Sequence, residues 1–128
     1  MLTACLSSGS ETSALNLQEE APAKVDDALL AALSPGIIPP SDFDALPRKA
    51  KSAALSAEFR ALEEAPVNVP INWSVDDKSN GQVVASTPYR VGSTTCRPYR
   101  HSGSADGAPF SAKGTACRSQ SGVWEPII

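Results

Sequence analysis

A chain of 128 residues has room for one domain, and 41% hydrophobic content supplies one modest core. A formal charge of −3 excludes wholesale nucleic-acid binding, which needs clustered Lys and Arg to neutralise phosphates. No apolar run approaches the ~20 residues of a membrane span, and one His with three Cys leaves little for a metal site, a cofactor site or a His-based catalytic machine.

Charge divides the chain in two. Residues 1–65 carry five basic and ten acidic side chains, a net of −5, while residues 66–128 carry six and four, a net of +2. An acidic, Ala-rich half therefore precedes a weakly basic, Gly/Ser/Thr-rich half.

The chain opens Met1-Leu2-Thr3-Ala4-Cys5. Leu2-Thr3-Ala4-Cys5 resembles a bacterial lipobox, in which small residues fit the signal peptidase and the thiol accepts a diacylglycerol. A full signal adds a basic n-region and an apolar h-region of about 7–15 residues, and neither precedes Cys5 here. A start lying further upstream, a trimmed sequence and a coincidental match are the three readings open at this point. The small polar residues from Ser7 to Ser13 read as a tether, so residues 1–24 are expected to be a disordered lipoprotein linker. Stable anchoring needs more than one acyl chain, which the multiply acylated Cys of bacterial lipoproteins provides.

Residues 25–65 read as helical. Asp26 to Leu33 suits a short helix with acidic residues in its first turn, stopped by Ser34-Pro35-Gly36. Pro39-Pro40 predicts an extended linker, and Ser41 with Asp44 offers an approximate capping arrangement. Arg48 to Glu64 is rich in Ala, Lys, Glu and Leu, with Pro47 suited to its first turn. Leu55, Phe59 and Leu62, with Ala50, Ala54, Ala57 and Ala61, form an apolar stripe. Lys49, Lys51, Glu58, Glu63 and Glu64 read as its solvated face, and Pro66 ends the helix.

Residues 66–128 change period. Val69, Ile71, Trp73 and Val75 alternate with polar residues and Pro70, as a half-buried strand does. A turn spans residues 76–81, short strands cover Gln82–Ala85 and Tyr89–Val91 on either side of Pro88, and longer ones cover Thr95–Ser102 and Phe110–Ser119. Val123-Trp124-Glu125 closes the meander. Asp106-Gly107 is a two-residue hairpin signal, since a type I′ turn needs positive φ at both positions. With those residues at the apex, paired positions sum to 213, a condition that Cys96 and Cys117 meet. Counting outward from Ala105 and Ala108 places the two cysteines at a non-hydrogen-bonded site, where Cα atoms lie ~4.5 Å apart, within reach of a disulfide. Pro98 and Pro109 also fall where a missing N–H costs no bond within the hairpin, and Tyr99 falls opposite Gly114, able to cover the backbone that glycine leaves bare. A longer loop with a slipped register, using Gly103, is the alternative.

A disulfide closing ~20 residues contributes roughly 3 kcal/mol and assigns an oxidising compartment. Cys5 is then the odd thiol, and lipidation accounts for it.

These elements resemble the surface-antigen lipoproteins related to the rickettsial seventeen-kilodalton antigen. The resemblance lies in Arg60-Ala61-Leu62-Glu63, in Val69-Pro70-Ile71-Asn72-Trp73, in Gly81 and Pro88-Tyr89, and above all in Cys96-Arg97-Pro98-Tyr99, Gly114-Thr115-Ala116-Cys117-Arg118 and Gly122-Val123-Trp124. It covers about residues 45–126, in the family's order. Many members carry a Gly-rich zipper upstream, and residues 6–44 contain none, so a membrane role of that zipper does not carry over. The resemblance implies an outer-membrane lipoprotein, on a face of the membrane the sequence leaves open.

The fold expected is α+β, an Ala-rich helix or helix pair on a small antiparallel meander of four to five strands with one cross-strand disulfide. Its core is Trp73, Trp124, Tyr99, Phe110, Val83 and Ile71, with Leu55, Phe59 and Leu62 from the helix. The function expected is non-enzymatic, structural or interactive, at the outer membrane, with a lipid anchor at Cys5. An enzyme is the poorer reading: His101 beside Ser102, Ser104 or Asp106 reads as a surface histidine, since hairpin neighbours face alternate sides and no nucleophile elbow is evident. Asp76-Asp77 and Glu63-Glu64 read as turn and helix-end charges. The alternative is a small periplasmic binding or inhibitor module acting on an envelope enzyme or glycan. Its anchors would be Arg90, Arg97, Tyr99, Arg100 and Arg118, with Tyr89, because Arg and Tyr are common at binding hot spots. Strand parity puts Arg97 and Tyr99 on one face and Arg100 on the other.

Overall fold

The computed structural model describes residues 27–127, so the tether and Cys5 lie outside the described residues. Among the described residues three helices precede six strands: α1 (Asp27–Leu33), α2 (Pro40–Ala45), α3 (Arg48–Glu63), β1 (Ile71–Asp76), β2 (Ser79–Ala85), β3 (Tyr89–Val91), β4 (Thr94–Ala105), β5 (Ala108–Arg118) and β6 (Trp124–Ile127). The architecture is the expected α+β with one strand more than the range read from the sequence. None of the described helices is long and apolar enough to cross a membrane.

α3 forms where Ala, Lys, Glu and Leu favour it. Pro47 takes the N-cap position, just outside the first turn, and Pro66, lacking an N–H, bars continuation. Four alanines of the stripe, Ala50, Ala54, Ala57 and Ala61, are buried with Leu55 and Leu62, so small side chains let the helix backbone come close to the sheet. It lies on β1 and β2. α2 departs from expectation. No side chain caps it, Ser41 included, and Pro40 opens it rather than extending a linker. Proline suits the first helical position because its missing N–H would have had no partner there. Phe43 of α2 is buried against the core.

The sheet is antiparallel throughout, in the order β1-β2-β4-β5-β6, with β3 also on β4. β2 pairs with the second half of β4 and β3 with its start, because Pro88 separates two strands that would otherwise run on as one. The long hairpin has the expected register, from Thr95 opposite Arg118 to Ala105 opposite Ala108. Asp106 and Gly107 have φ of 53° and 90° at its apex, as a type I′ turn requires. Cys96 and Cys117 are bonded, with Cα atoms 3.9 Å apart. It is Ile37, in the connection from α1 to α2, that lies over Gly114, and not the Tyr99 ring: a Cβ on Gly114 would come within 2.9 Å of the Ile37 side chain.

Trp73, Val83, Tyr99, Phe110, Trp124, Leu55 and Leu62 are buried as expected, while Phe59 and Ile71 pack at the margin. Leu30, Leu33, Ile38, Phe43 and Leu46 join them.

A candidate site at the helix–sheet interface

Two residues read as surface groups lie at the centre of the molecule. Glu58 and His101 are each 0% exposed. Helical spacing explains the first: Glu58 sits four residues after Ala54 and three before Ala61, within the apolar stripe. Strand parity explains the second: His101 is two residues beyond Tyr99, on the same inner face of β4. Register then places His101 beside Val83 of β2 and Ala112 of β5, directly beneath α3.

The two side chains meet at 2.6 Å, His101 Nδ1 to Glu58 Oε2. On the other side of the ring, Trp73 Nε1 donates to His101 Nε2 at 2.8 Å. An indole N–H can only donate, so Nε2 accepts, and the ring proton resides on Nδ1 and is donated to the carboxylate. Trp73 and Phe110 stand edge-on to the imidazole, with centroids 5.8 Å and 5.4 Å away. The indole has room because β2 and β4 carry glycines there. A Cβ on Gly81 would come within 2.8 Å of Trp73 Nε1, and one on Gly103 would strike the backbone of Asn80 and Gly81.

The loop after α1 closes over the carboxylate. Gly36, at φ +73°, lies so near that a Cβ would come within 2.5–2.8 Å of the Glu58 carboxyl atoms, and Ile37 N donates to Oε2 at 3.3 Å. Tyr99 completes the cluster. Burial, then the neighbouring Glu58 carboxylate, push its phenol well above the ordinary range. Neither Tyr99 Oη nor Glu58 Oε1 makes a well-formed hydrogen bond among the described residues. Both nitrogens of His101 are committed and the ring has no exposed surface, so the arrangement ties helix, sheet and loop together and presents nothing to a solute.

The five residues marked as interaction candidates separate. Arg97 is buried and points at the end of α3, where Nη1 donates to the carbonyls of Ala61 and Leu62 at 2.9 and 3.1 Å, and Nη2 to Ala65 at 2.8 Å. Its Nε donates to Ser86 O at 2.7 Å. A cation at a helix C-terminus satisfies carbonyls that lack intrahelical partners, and burial lowers its pKa from the usual guanidinium range. Arg97 and Tyr99 therefore serve the interior, which corrects their reading as surface anchors. Arg100 is exposed and shares a shallow cleft with Lys113 on the opposite face. The guanidinium of Arg118 pairs with Glu63 at 2.9 Å and lies over the Trp124 ring, 5.6 Å from its centroid, while Trp124 Nε1 donates to Glu63 Oε1 at 2.8 Å. Arg90 is exposed and lines a small polar cleft with Arg118. Arg90 and Arg118 share this cleft, and none of the other candidates lines it.

No three His, Cys, Asp or Glu side chains cluster as metal ligands among the described residues. Comparison with known proteins adds no relative: no family model matches the chain, and no curated protein or solved structure does.

Proposed function

We propose that this chain is a non-enzymatic lipoprotein of the cell envelope, of the surface-antigen type, anchored at the outer membrane through Cys5 and acting there in a structural or interaction role. The Cys96–Cys117 bridge carries the reading. Disulfides persist in oxidising compartments, and pairing two of three cysteines leaves Cys5 to be accounted for. A lipid at Cys5 accounts for it, and the lipobox-like Leu2-Thr3-Ala4 before it supports that chemistry. The interior is consistent with a scaffold, since Glu58, His101, Trp73 and Arg97 bond across from one element to another.

The second reading, a binding module for an envelope enzyme or glycan, is favoured by one observation. Arg90 and Arg118 line one cleft, although Arg97, Tyr99 and Arg100 do not join them.

The test is intact mass of the protein extracted from its native membranes, before and after reduction and alkylation. The expected result is a lipid-sized increment on a chain starting at Cys5, with Cys96 and Cys117 labelled only after reduction. An unlipidated chain starting at Met1 with three free thiols overturns the reading.

A further inference from the structure

The sheet register builds a row that no single strand reveals. Arg90 pairs with Thr95, Thr95 with Arg118 and Arg118 with Trp124, so four side chains from four strands stand on one face. Two interstrand steps separate the arginines, about 10 Å between Cα atoms, and Thr95 lies between them. The cleft above the row has a volume of about 300 Å3, and Ser93, Ser119 and Gln120 complete its polar wall.

The two cations differ in preparation. Arg118 is held in place by Glu63, which engages Nη1 alone, and by the Trp124 ring beneath it. Its Nε and Nη2 donate to nothing among the described residues. The Arg90 guanidinium likewise has no hydrogen bond or ion pair among the described residues. One fixed fork and one exposed, unpartnered fork, with a hydroxyl between, match a tetrahedral oxyanion, because guanidinium donors bind phosphate oxygens in pairs. The hydroxyls and the Gln120 amide both donate and accept, as a polyol attached to that oxyanion requires. The row is also braced: Cys96 and Cys117, one position along β4 and β5, covalently lock its register.

We propose that this row is a binding site for a phosphomonoester, with Arg118 as the fixed anchor, Arg90 as the closing arm and Thr95 between them. The inference rests on the binding-module reading and is independent of the anchor at Cys5. A phosphorylated sugar and a lipid phosphate present the same group, and the two sources are separable by experiment.

The experiment uses the full chain with its disulfide intact. Amide spectra are followed while glucose 6-phosphate, and separately glucose, is added. In parallel, sedimentation is measured with phosphatidylcholine vesicles made with and without phosphatidic acid. A soluble source gives saturable shifts centred on Thr95, Arg118 and Ser119 with glucose 6-phosphate and none with glucose. A lipid source gives sedimentation that depends on phosphatidic acid. In either case Arg90→Ala weakens binding about tenfold to a hundredfold, the worth of a charged hydrogen bond, and Arg90→Lys restores part of it. Arg90 is exposed and ties no elements together, so its variants keep the native spectrum even where an Arg118 variant does not. The site is overturned if neither probe binds saturably, if glucose binds as well as its phosphate, or if Arg90→Ala binds as the parent does. Such a failure leaves the lipid-anchor reading standing, because that reading is decided by mass.

Discussion

Glu58 shows how the physics of one side chain can be concealed by its residue type. A glutamate on an Ala-, Lys- and Glu-rich helix reads as solvated, and a histidine among Ser, Gly and Arg reads as an exposed strand residue. The spacing of both positions already contradicted that: Glu58 shares the face of Ala54 and Ala61, and His101 the parity of Tyr99. Residue type outweighed position in that reading, and partners 43 residues apart leave no local pattern that pairs them. The pairing has a testable cost. Glu58→Ala strands His101 Nδ1–H and Ile37 N–H without an acceptor and opens a cavity, so urea unfolding followed by Trp fluorescence should show a loss of about 3–5 kcal/mol. Glu58→Gln keeps an acceptor oxygen and should lose no more than about 1–2 kcal/mol. Equal losses would show that volume, and not hydrogen bonding, is what Glu58 supplies. Tyr99 makes a separate prediction, in pH. Its folded pKa is raised by burial first and by Glu58 second, so its contribution is fully present below the unfolded value of about 10. Above that pH the unfolded chain releases the proton and the folded chain holds it, so stability falls as pH rises further. The melting temperature should decline above about pH 10 more steeply than in Tyr99→Phe, and parallel pH profiles would exclude Tyr99 as the cause.

At the level of elements, the long hairpin was legible because its determinants are local. Asp106-Gly107 sets the turn, the turn sets the register, and the register brings Cys96 and Cys117 opposite each other, so one dipeptide accounts for eleven cross-strand pairs. The end of α3 was not legible, because what finishes it is remote. Arg97 lies 32 to 36 residues from the carbonyls it serves, and an Arg on a strand gives no sign that it will cap a helix. Arg97→Met keeps the apolar stem and removes every donor, leaving the carbonyls of Ala61, Leu62, Ala65 and Ser86 without this partner. A loss of about 3 kcal/mol is expected in urea unfolding, with amide exchange accelerated first in the last turn of α3. Arg97→Lys should recover little, because an ammonium cannot span carbonyls on both sides of a planar fork. Full recovery by Lys would reduce the role of Arg97 to its charge.

The whole molecule is joined along one seam, where α3 meets the sheet, and three polar ties are spaced along it: Glu58 to His101, the last carbonyls of α3 to Arg97, and Glu63 to Arg118 with Trp124. The sheet-side partners of the first two ties, His101 and Arg97, come from β4, and those of the third, Arg118 and Trp124, from β5 and β6, and β4 and β5 are the strands that the disulfide staples. The seam therefore depends on a register in which one cross-strand pair is covalently fixed. In the loop-entropy account, opening a bridge with a separation of 21 residues removes roughly 3 kcal/mol, a large fraction of the ~5–15 kcal/mol that typical domains possess. Reduction should thus shift the urea midpoint downward, and alanine at both cysteines should reproduce the shift without reductant. The ties predict where the reduced protein loosens first. Arg97 and Arg118 flank the bridge in the ladder, whereas His101 stands midway along β4, five positions from Cys96 and five from Asp106, where the Asp106-Gly107 turn sets the register independently. Hydrogen exchange after reduction should therefore rise at the end of α3, in β3 and in β6 before it rises around His101 and Trp73. Uniform acceleration across the sheet would mean that the bridge supports the fold as one cooperative unit, and that the two halves of the seam have no separate stability.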